Sequence, residues 1–477
     1  MEDFTCDGLW WLPETPAYRT PGTLSFDDDG LRLTLYGTLR DPGVPEPGVV
    51  IVGRRTRTPE PVIHGRSHEG EFFTVLGASG VSDGAPYDFV VGTLRLELAL
   101  RSSLAHGDLF TEVWVRFDYL DAWVDPDEIL LEEPRAAEGE HSIRVRLGNT
   151  TLAETDLPGA AVRLVTGIEG SAGGPSVHLR QRAFFVVAPD EPMAARALVE
   201  AYVRPLQDLL MFCVGAPVVM TNVRLRPAEQ DDPRDGVATA YFATVQRRPA
   251  GELTTASVEN FNQPTVLSRN NSPVSVETLI ERWFENWTAW REVLELIHSP
   301  LYAPFMFAEH GFSSTFQSAE ALHDLVLPTR DLEPAEHRRR VDRVVDALSA
   351  SGLPTQDIEW ATRVLQSRND KPLWRKIADL LDSSGRVGSA VLAADPSFAR
   401  SAVAMRVGVS HGGAGSPAEP AYRFWSTQVL RWSVRARILM ELLGDADAAQ
   451  ERVAGRHGFR AAVERLAEAR PDAIDGS

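Results

Sequence analysis

The stretch DPSFARSAVAMRVGVSHGG, residues 395–413, decides how the second half of this chain is read. Asp395 followed by Pro396 is a helix start. An aspartate side chain accepts from the unpaired N–H groups of a first turn, and proline at the first helical position loses nothing by lacking one. At 100° per residue, Phe398, Ala402, Met405 and Val409 fall in one narrow arc, which is the expected buried face. Arg406 lies at its edge. On an ideal helix His411 follows about 140° around and about 7.5 Å along the axis, too far for both side chains to reach one phosphate unaided. Two arrangements would bring them together: a helix that loosens at Gly408 and stops at Gly412-Gly413, or a site assembled from two facing protomers.

An arginine and a histidine so arranged suit metal-independent RNA cleavage. The ribose 2′-hydroxyl must lose a proton and the leaving 5′-oxygen must gain one, and histidine does either near neutral pH. The phosphorane between them carries growing negative charge, which a permanently charged, bidentate guanidinium meets. A surface arginine followed by a histidine at a helix C-terminus, where its charge meets the dipole, would give the same spacing.

Outward from this segment, helical periods run over roughly 335–350, 356–367, 372–383, 396–411, 421–443 and 448–469. Trp425, Val429, Trp432, Ala436 and Leu439 make the buried stripe of the longest, with Arg431 and Arg435 along a flank. Trp283, Trp287 and Trp290 recur at helical spacing, the pattern of core or inter-domain packing.

Before about residue 190 the pattern is different. Leu31, Leu33 and Leu35 alternate with polar neighbours after the turn residues Asp27-Asp28-Asp29-Gly30. Further strand-like runs lie at 49–52, 72–76, 91–100, 112–117 and 142–147. An apolar helical period follows from Pro192 to about Leu210, and then two more strand runs at 218–225 and 238–245. Around 251–275 the composition turns to Ser, Thr, Asn and Pro, a boundary or connecting loop. The expected class is α+β: a β-rich N-terminal domain followed by an all-α bundle.

A chain of 477 residues exceeds what one core usually organises, in keeping with that division. A net charge of -19 excludes a surface that attracts nucleic acid or anionic lipid everywhere, so an RNA site has to be a local basic patch. Cys6 and Cys213 give neither a disulfide framework nor a zinc spacing. The start Met1-Glu2-Asp3 lacks a secretory pattern, and the run 209–220 is too short to span a bilayer, so a cytoplasmic protein without membrane association is expected. His64 and His68 sit in strand and turn surroundings that do not suit a metal pair. Gly167, Gly170, Gly173 and Gly174 read as a surface loop, and Arg338-Arg339-Arg340 as a solvated helix face. No cofactor or metal is called for.

Three features of residues 301–444 carry a family resemblance: the helix FQSAEALH at 316–323, the segment RVGVSHGG at 406–413, and the long helix from Tyr422 to Gly444. Together they resemble the HEPN domain of the ApeA-like anti-phage defence family, whose motif is Arg-x4-6-His. The opening GLWWLP at 8–13, followed by GTLSF at 22–26 and the run 31–39, is similar to the N-terminal domain of the same family. The resemblance implies a four- to five-helix bundle that forms a homodimer and cleaves RNA, tRNA included, without metal. Arg406 would stabilise the transition state, His411 would transfer protons, and Glu320 would orient or tune His411. Arg375, Lys376, Arg431 and Arg435 are the basic residues available to an RNA backbone.

On this reading residues 1–250 form the ApeA-type domain that senses or restrains. Residues 251–275 connect, 276–300 form a linking helix, 301–447 the HEPN bundle, and 448–477 a C-terminal helix and tail. A phage-derived trigger would release an abortive-infection ribonuclease. One departure is Val407, where many active members carry a polar residue after the arginine. It leaves open a catalytically inactive HEPN module that binds RNA or dimerises. A third possibility is a carbohydrate- or protein-binding β domain joined to an unrelated bundle.

Overall fold

The computed structural model describes residues 3–27, 30–39, 60–84, 90–95, 98–102, 109–125, 150–173, 176–228, 238–242, 265–303, 306–411 and 420–470. The chain divides into two compact units, the first comprising Met1–Phe261 with Leu267–Phe284, the second Asn262–Val266 with Glu285–Ser477. The β-rich region followed by helices is the α+β arrangement read from the sequence. The runs 49–52 and 142–147 lie outside the described residues.

The first unit begins with strands β1 (Phe4–Trp11), β2 (Thr20–Asp27), β3 (Gly30–Tyr36), β4 (Glu60–Ser67), β5 (Phe72–Gly84), β6 (Val90–Arg95) and β7 (Leu98–Ser102). All their pairings are antiparallel, and the order β4-β1-β2-β3-β6-β5 closes on itself because β5 also pairs with β4. β6 and β7 continue one another along the same edge of β5, from Gly84↔Val90 down to Phe72↔Ser102. Closure removes the open edges that would otherwise invite pairing with another chain. Strand alternation sends Leu24, Leu33, Leu35, Ile63, Phe73 and Val75 inward, where they form one apolar cluster with Trp10.

Trp10 explains the glycines around it. Its indole is fully buried and donates from Nε1 to the Gly22 carbonyl at 3.1 Å. Its ring lies where a Cβ on Gly65 would come within 2.2 Å, and a Cβ on Gly22 would be crowded by the Thr34 carbonyl oxygen at 2.6 Å as well as by Trp10 at 3.0 Å. The glycines are therefore the floor on which the largest side chain of the ring is seated.

The hydrogen-bonded network continues from β7 through β8 (Leu109–Phe117), β9 (Thr150–Leu157), β10 (Ala160–Gly173), β11 (Ser176–Pro189), β12 (Met193–Ala194), β13 (Met220–Pro227) and β14 (Ala238–Phe242), in the order β7-β14-β13-β8-β11-β10-β9 with β12 on β8. Three of the four glycines expected in a loop are in strand instead: Gly167 pairs with Arg182, Gly170 with Leu179 and Gly173 with Ser176 in the long β10–β11 hairpin, while Gly174 lies outside the described residues. Helices α1 (Leu120–Val124), α2 (Ala195–Leu198) and α3 (Arg204–Val214) complete the unit, the last two joined by a π turn over Val199–Val203. Pro205 has no N–H to return to the preceding turn, which accounts for the widened turn before it. Its carbonyl accepts from Trp283 Nε1 at 2.8 Å. Trp283 belongs to α4 (Val276–Tyr302), whose first turns group with this unit and whose remainder groups with the second.

The second unit is helical: α5 (Ala308–Val326), α6 (Pro334–Ala350), α7 (Thr355–Ser367), α8 (Leu373–Ser383), α9 (Arg386–Ala394), α10 (Phe398–His411), α11 (Pro420–Leu443), α12 (Ala446–Ala454) and α13 (His457–Ala469). α11 is its axis, packing on α5, α8, α9, α12 and α13. Val429, Trp432, Ala436 and Leu439 are buried along it as the spacing required, while Trp425 is half-buried. Ser314 and Ser318 of α5 donate to the Leu296 and Val293 carbonyls of α4, fastening α5 at its inner face. The expected helix 448–469 is two helices, because the chain turns at Gly455 and Arg456. α6 and α7 form a hairpin inserted between α5 and α8. Its two ends pair as a short antiparallel neck, with Asp331 N on the Asn369 carbonyl at 2.8 Å and Lys371 N on the Thr329 carbonyl at 2.9 Å.

Gly65→Ala is expected to force the Trp10 ring aside and to destabilise the first unit by about 1–3 kcal/mol, the usual cost of overpacking a filled core. Chemical denaturation followed by tryptophan fluorescence measures it, and an unchanged midpoint would contradict the seating described.

Candidate active site around Arg406 and His411

The helix that carries the two residues is pinned at its start by a buried carboxylate. Asp395 is 1% exposed, and its Oδ1 accepts from Ser397 N at 2.9 Å and Ser397 Oγ at 2.7 Å, while its Oδ2 accepts from the Tyr422 hydroxyl. Residues 396–397 form a turn, so the helix proper opens at Phe398, slightly later than the Asp-Pro signal alone implies. Burial, then the Asp395 carboxylate, push the Tyr422 hydroxyl well above the usual phenol range, so it stays a donor. A second tie comes one turn on, where the Arg400 guanidinium lies 4.3 Å from the ring centre of Trp374 in α8. Phe398, Ala402 and Met405 are buried, as their arc requires.

From there α10 runs unbroken to His411. The helix does not loosen at Gly408, because a single glycine costs only about 1 kcal/mol and the packed face holds it. The loosening at Gly408 that one of the two expected arrangements requires is therefore not found. Arg406 is half-buried with its Nε shielded from solvent, and Val407 beside it is 46% exposed. For His411 the backbone alone is described, and the Gly412-Gly413 stop lies outside the described residues.

Glu320, His323 and Asp324 form a polar stripe on α5 that faces Lys376 and Asp379 on α8. His323 is fully buried, with Nδ1 2.8 Å from Asp324 Oδ1 and Nε2 3.8 Å from Asp379 Oδ2. Lys376 Nζ reaches Asp324 at 2.6 Å and Glu320 at 3.8 Å. Partial burial pushes the Asp324 carboxyl up, but the hydrogen bonds from Lys376 and His323 outweigh it and hold its pKa below the ordinary value. Lys371 and Arg375 both pair with Asp379, Arg375 at 3.2 Å. The described partner of Glu320 is thus Lys376.

The four residues expected to meet RNA fall in different settings. Arg375 has a side chain 54% exposed, whereas that of Lys376 is 13% exposed and engaged with two carboxylates. Arg435 is buried and stacks on Trp432 at 4.9 Å, and Arg431 is half-buried with its Nε shielded. These two do not form an exposed flank. Burial lowers the Arg431 pKa from its ordinary value. Both arginines act on His298 of α4, a buried histidine that the sequence reading passed over. Burial first, then Arg435 and Arg431, lower the His298 imidazole to about 3. Placed i, i+3 and i+4 on one helix and i, i+3 on the next, Glu320, His323, Asp324, Lys376 and Asp379 were detectable as complementary stripes; nothing local marks His298.

With this geometry in view, comparison with known proteins gives two matches. Residues 5–262 match the family model described as ApeA N-terminal domain 1, and residues 314–448 that described as Apea-like HEPN. Arg406, His411 and the α5–α8 seam all fall within the second. No curated protein and no solved structure matches the chain. Among the described residues no helix is long and apolar enough to cross a membrane.

His298 sets a pH dependence whose sign is fixed. A histidine held at about 3 in the folded chain binds its proton near 6.5 once unfolded, so stability is full above about 6.5 and is lost as pH falls. Between pH 7 and pH 5 the expected loss is about 2 kcal/mol. Thermal melts across this range should show it, and His298→Gln should flatten the slope; equal slopes would refute the assignment.

Proposed function

We propose that this chain, which belongs to the ApeA family of HEPN-containing anti-phage defence proteins, is a metal-independent endoribonuclease whose site is shared between two protomers. The observation that supports this most is that Arg406 and His411 stand on one unbroken helix, within the HEPN match. About 140° apart on that helix, they address one phosphate most readily when the arginine of one protomer meets the histidine of the other. Exposed apolar groups suit such an assembly: Val407 adjoins Arg406, and Phe307 and Phe424 flank the Arg423–Glu309 ion pair that joins α11 to α5.

In the reaction, His411 removes the proton of the ribose 2′-hydroxyl, whose oxygen forms a bond to phosphorus. The bond from phosphorus to the 5′-oxygen breaks, and that oxygen takes a proton relayed through water from the His411 imidazolium, which returns the histidine to its neutral form. The products are a 2′,3′-cyclic phosphate and a 5′-hydroxyl. Arg406 neutralises the equatorial oxygens of the phosphorane. Glu320 tunes the site indirectly through Lys376, and Arg375 meets the RNA backbone near it. Transfer RNA is the substrate to try first. The N-terminal unit senses a phage-derived trigger or restrains the helical unit, and the chain works in the cytoplasm.

A second reading is supported by Val407, an exposed apolar residue where a polar one would assist chemistry. There the HEPN unit is an inactive RNA-binding or dimerisation module.

Purified full chain incubated with total tRNA and a chelator should produce cleavage ending in cyclic phosphate. Arg406→Ala and His411→Ala should each lower the rate by about 100-fold or more, the size of a lost charge-stabilising or acid–base group. Mixing the two inactive variants should restore roughly a quarter of wild-type activity, because exchange creates one intact site in each mixed dimer. Intact tRNA in every arm, with phage plating equal for wild type and His411→Ala, would favour the inactive module. Cleavage that mixing fails to restore would place both groups in one protomer.

A further inference from the structure

Four shielded cations of the helical unit are each met by a carboxylate. Lys371 pairs with Asp379, Lys376 with Asp324, Arg423 with Glu309 and Arg437 with Glu441, and all four side chains are between 13% and 15% exposed. Arg431 departs from this pattern. It is half-buried, its Nε is shielded without an acceptor, and burial is the one influence that shifts its ionisation, so no described carboxylate makes up for the lost hydration. The chain does not lack carboxylates, since it has 67 acidic residues against 48 lysines and arginines.

The surroundings of Arg431 add positive charge instead. Arg435 follows one turn later on α11 and is 6% exposed, its guanidinium 4.9 Å from the ring centre of Trp432. His298 of α4 is 7% exposed and close enough for both guanidinium charges to oppose its protonation. All three residues belong to one compact unit. Like charges one helical turn apart destabilise a helix, and a cation withdrawn from water is costly unless a counter-charge replaces the hydration. Exposure grades from Arg435 and His298 inside to Arg431 at the rim, so the cluster is open to solvent on the Arg431 side.

We propose that Arg431, Arg435 and His298 form a recessed oxyanion site that takes one phosphate group. The planar fork of Arg431 matches two oxygens of a phosphate, which a halide cannot reproduce. Arg435 adds a second charge beneath it, and the neutral imidazole of His298 can offer an N–H without taking up a proton. The missing carboxylate is thereby explained: an internal acid would occupy the place of the ligand. A recess of this kind suits a compact tetrahedral anion or the end of a strand, and not a backbone that runs along an exposed flank. The site is separate from Arg406 and His411 and stands whether or not they cut RNA.

The test compares thermal melts of the full chain in chloride and in millimolar inorganic phosphate, at fixed pH and ionic strength. A ligand that binds the folded state stabilises it by mass action, so the wild-type midpoint should rise by at least about 2 °C in phosphate. Arg431→Met should lose that rise, and in chloride it should be as stable as wild type or more so, because a desolvated charge has been removed. Arg437→Met, on the same helix but outside the cluster, should keep the rise. Isothermal titration calorimetry of wild type with inorganic phosphate reads binding without any variant, should Arg431→Met fail to fold. A labelled 2′-O-methyl RNA strand of about 20 nucleotides separates the sources of the group. Binding of this strand that weakens about 10-fold in Arg431→Met, with no response to inorganic phosphate, assigns the phosphate to RNA. An equal rise in all three proteins marks a general salt effect and overturns the site. So does an Arg431→Met that is less stable than wild type by the same margin in both salts, which marks a structural arginine. Absence of a midpoint shift, of calorimetric heat and of an effect on the strand also overturns it.

Discussion

The hydrogen bonds to the Asp395 carboxylate are the constraint from which the geometry of the candidate site follows. A buried carboxylate costs several kcal/mol in lost hydration unless donors replace the water. Here Ser397 supplies two donors and Tyr422 a third. Each charge-assisted bond is worth about 1.5–3 kcal/mol, so the group is stable only with all three in place. Because Tyr422 lies in the first turn of α11, the same carboxylate joins the start of one helix to the start of the next. Once that start is set, rise and twist per residue determine where Arg406 points. The direction of the arginine is thus decided eleven positions upstream, by residues that contact no substrate.

The first unit obeys a different constraint, closure. The length of β5 lets one strand pair with β4, β6 and β7 and so serve as the seam of a ring. Trp10 fills the interior against Gly22 and Gly65. The sequence similarity at GLWWLP and GTLSF therefore reflects packing, and it locates no binding surface.

Much of this architecture was legible in the sequence, and the failures have physical reasons. Alternation at Leu31, Leu33 and Leu35 and the arc of Phe398, Ala402 and Met405 were readable because each repeats the period of its element. Glycines misled in one place: those near residue 170 suggest a loop, yet cross-strand partners hold them in a hairpin. The helical periods read from the sequence do not include α9, where Gly388 allows an approach to α8 so close that a Cβ there would lie 1.8 Å from the Leu381 carbonyl oxygen. Arg431 and Arg435 looked like an exposed flank because one-helix periodicity carries no record of a second wall, in this case the one that bears His298. Arg406 and His411 were found as residue types at a spacing; the continuity through Gly408 depended on packing that no spacing encodes.

The neck between Thr329–Leu332 and Asn369–Lys371 has an implication for how such a chain changes over time. Where chain ends are held side by side, each doubling of the segment between them adds only about 0.6 kcal/mol of closure cost. Insertions tolerate replacement best where few contacts cross their base. The bundle around α11 can therefore keep its architecture while the segment past the neck diversifies, shortens or is exchanged, so that the two are free to evolve at different rates within one domain.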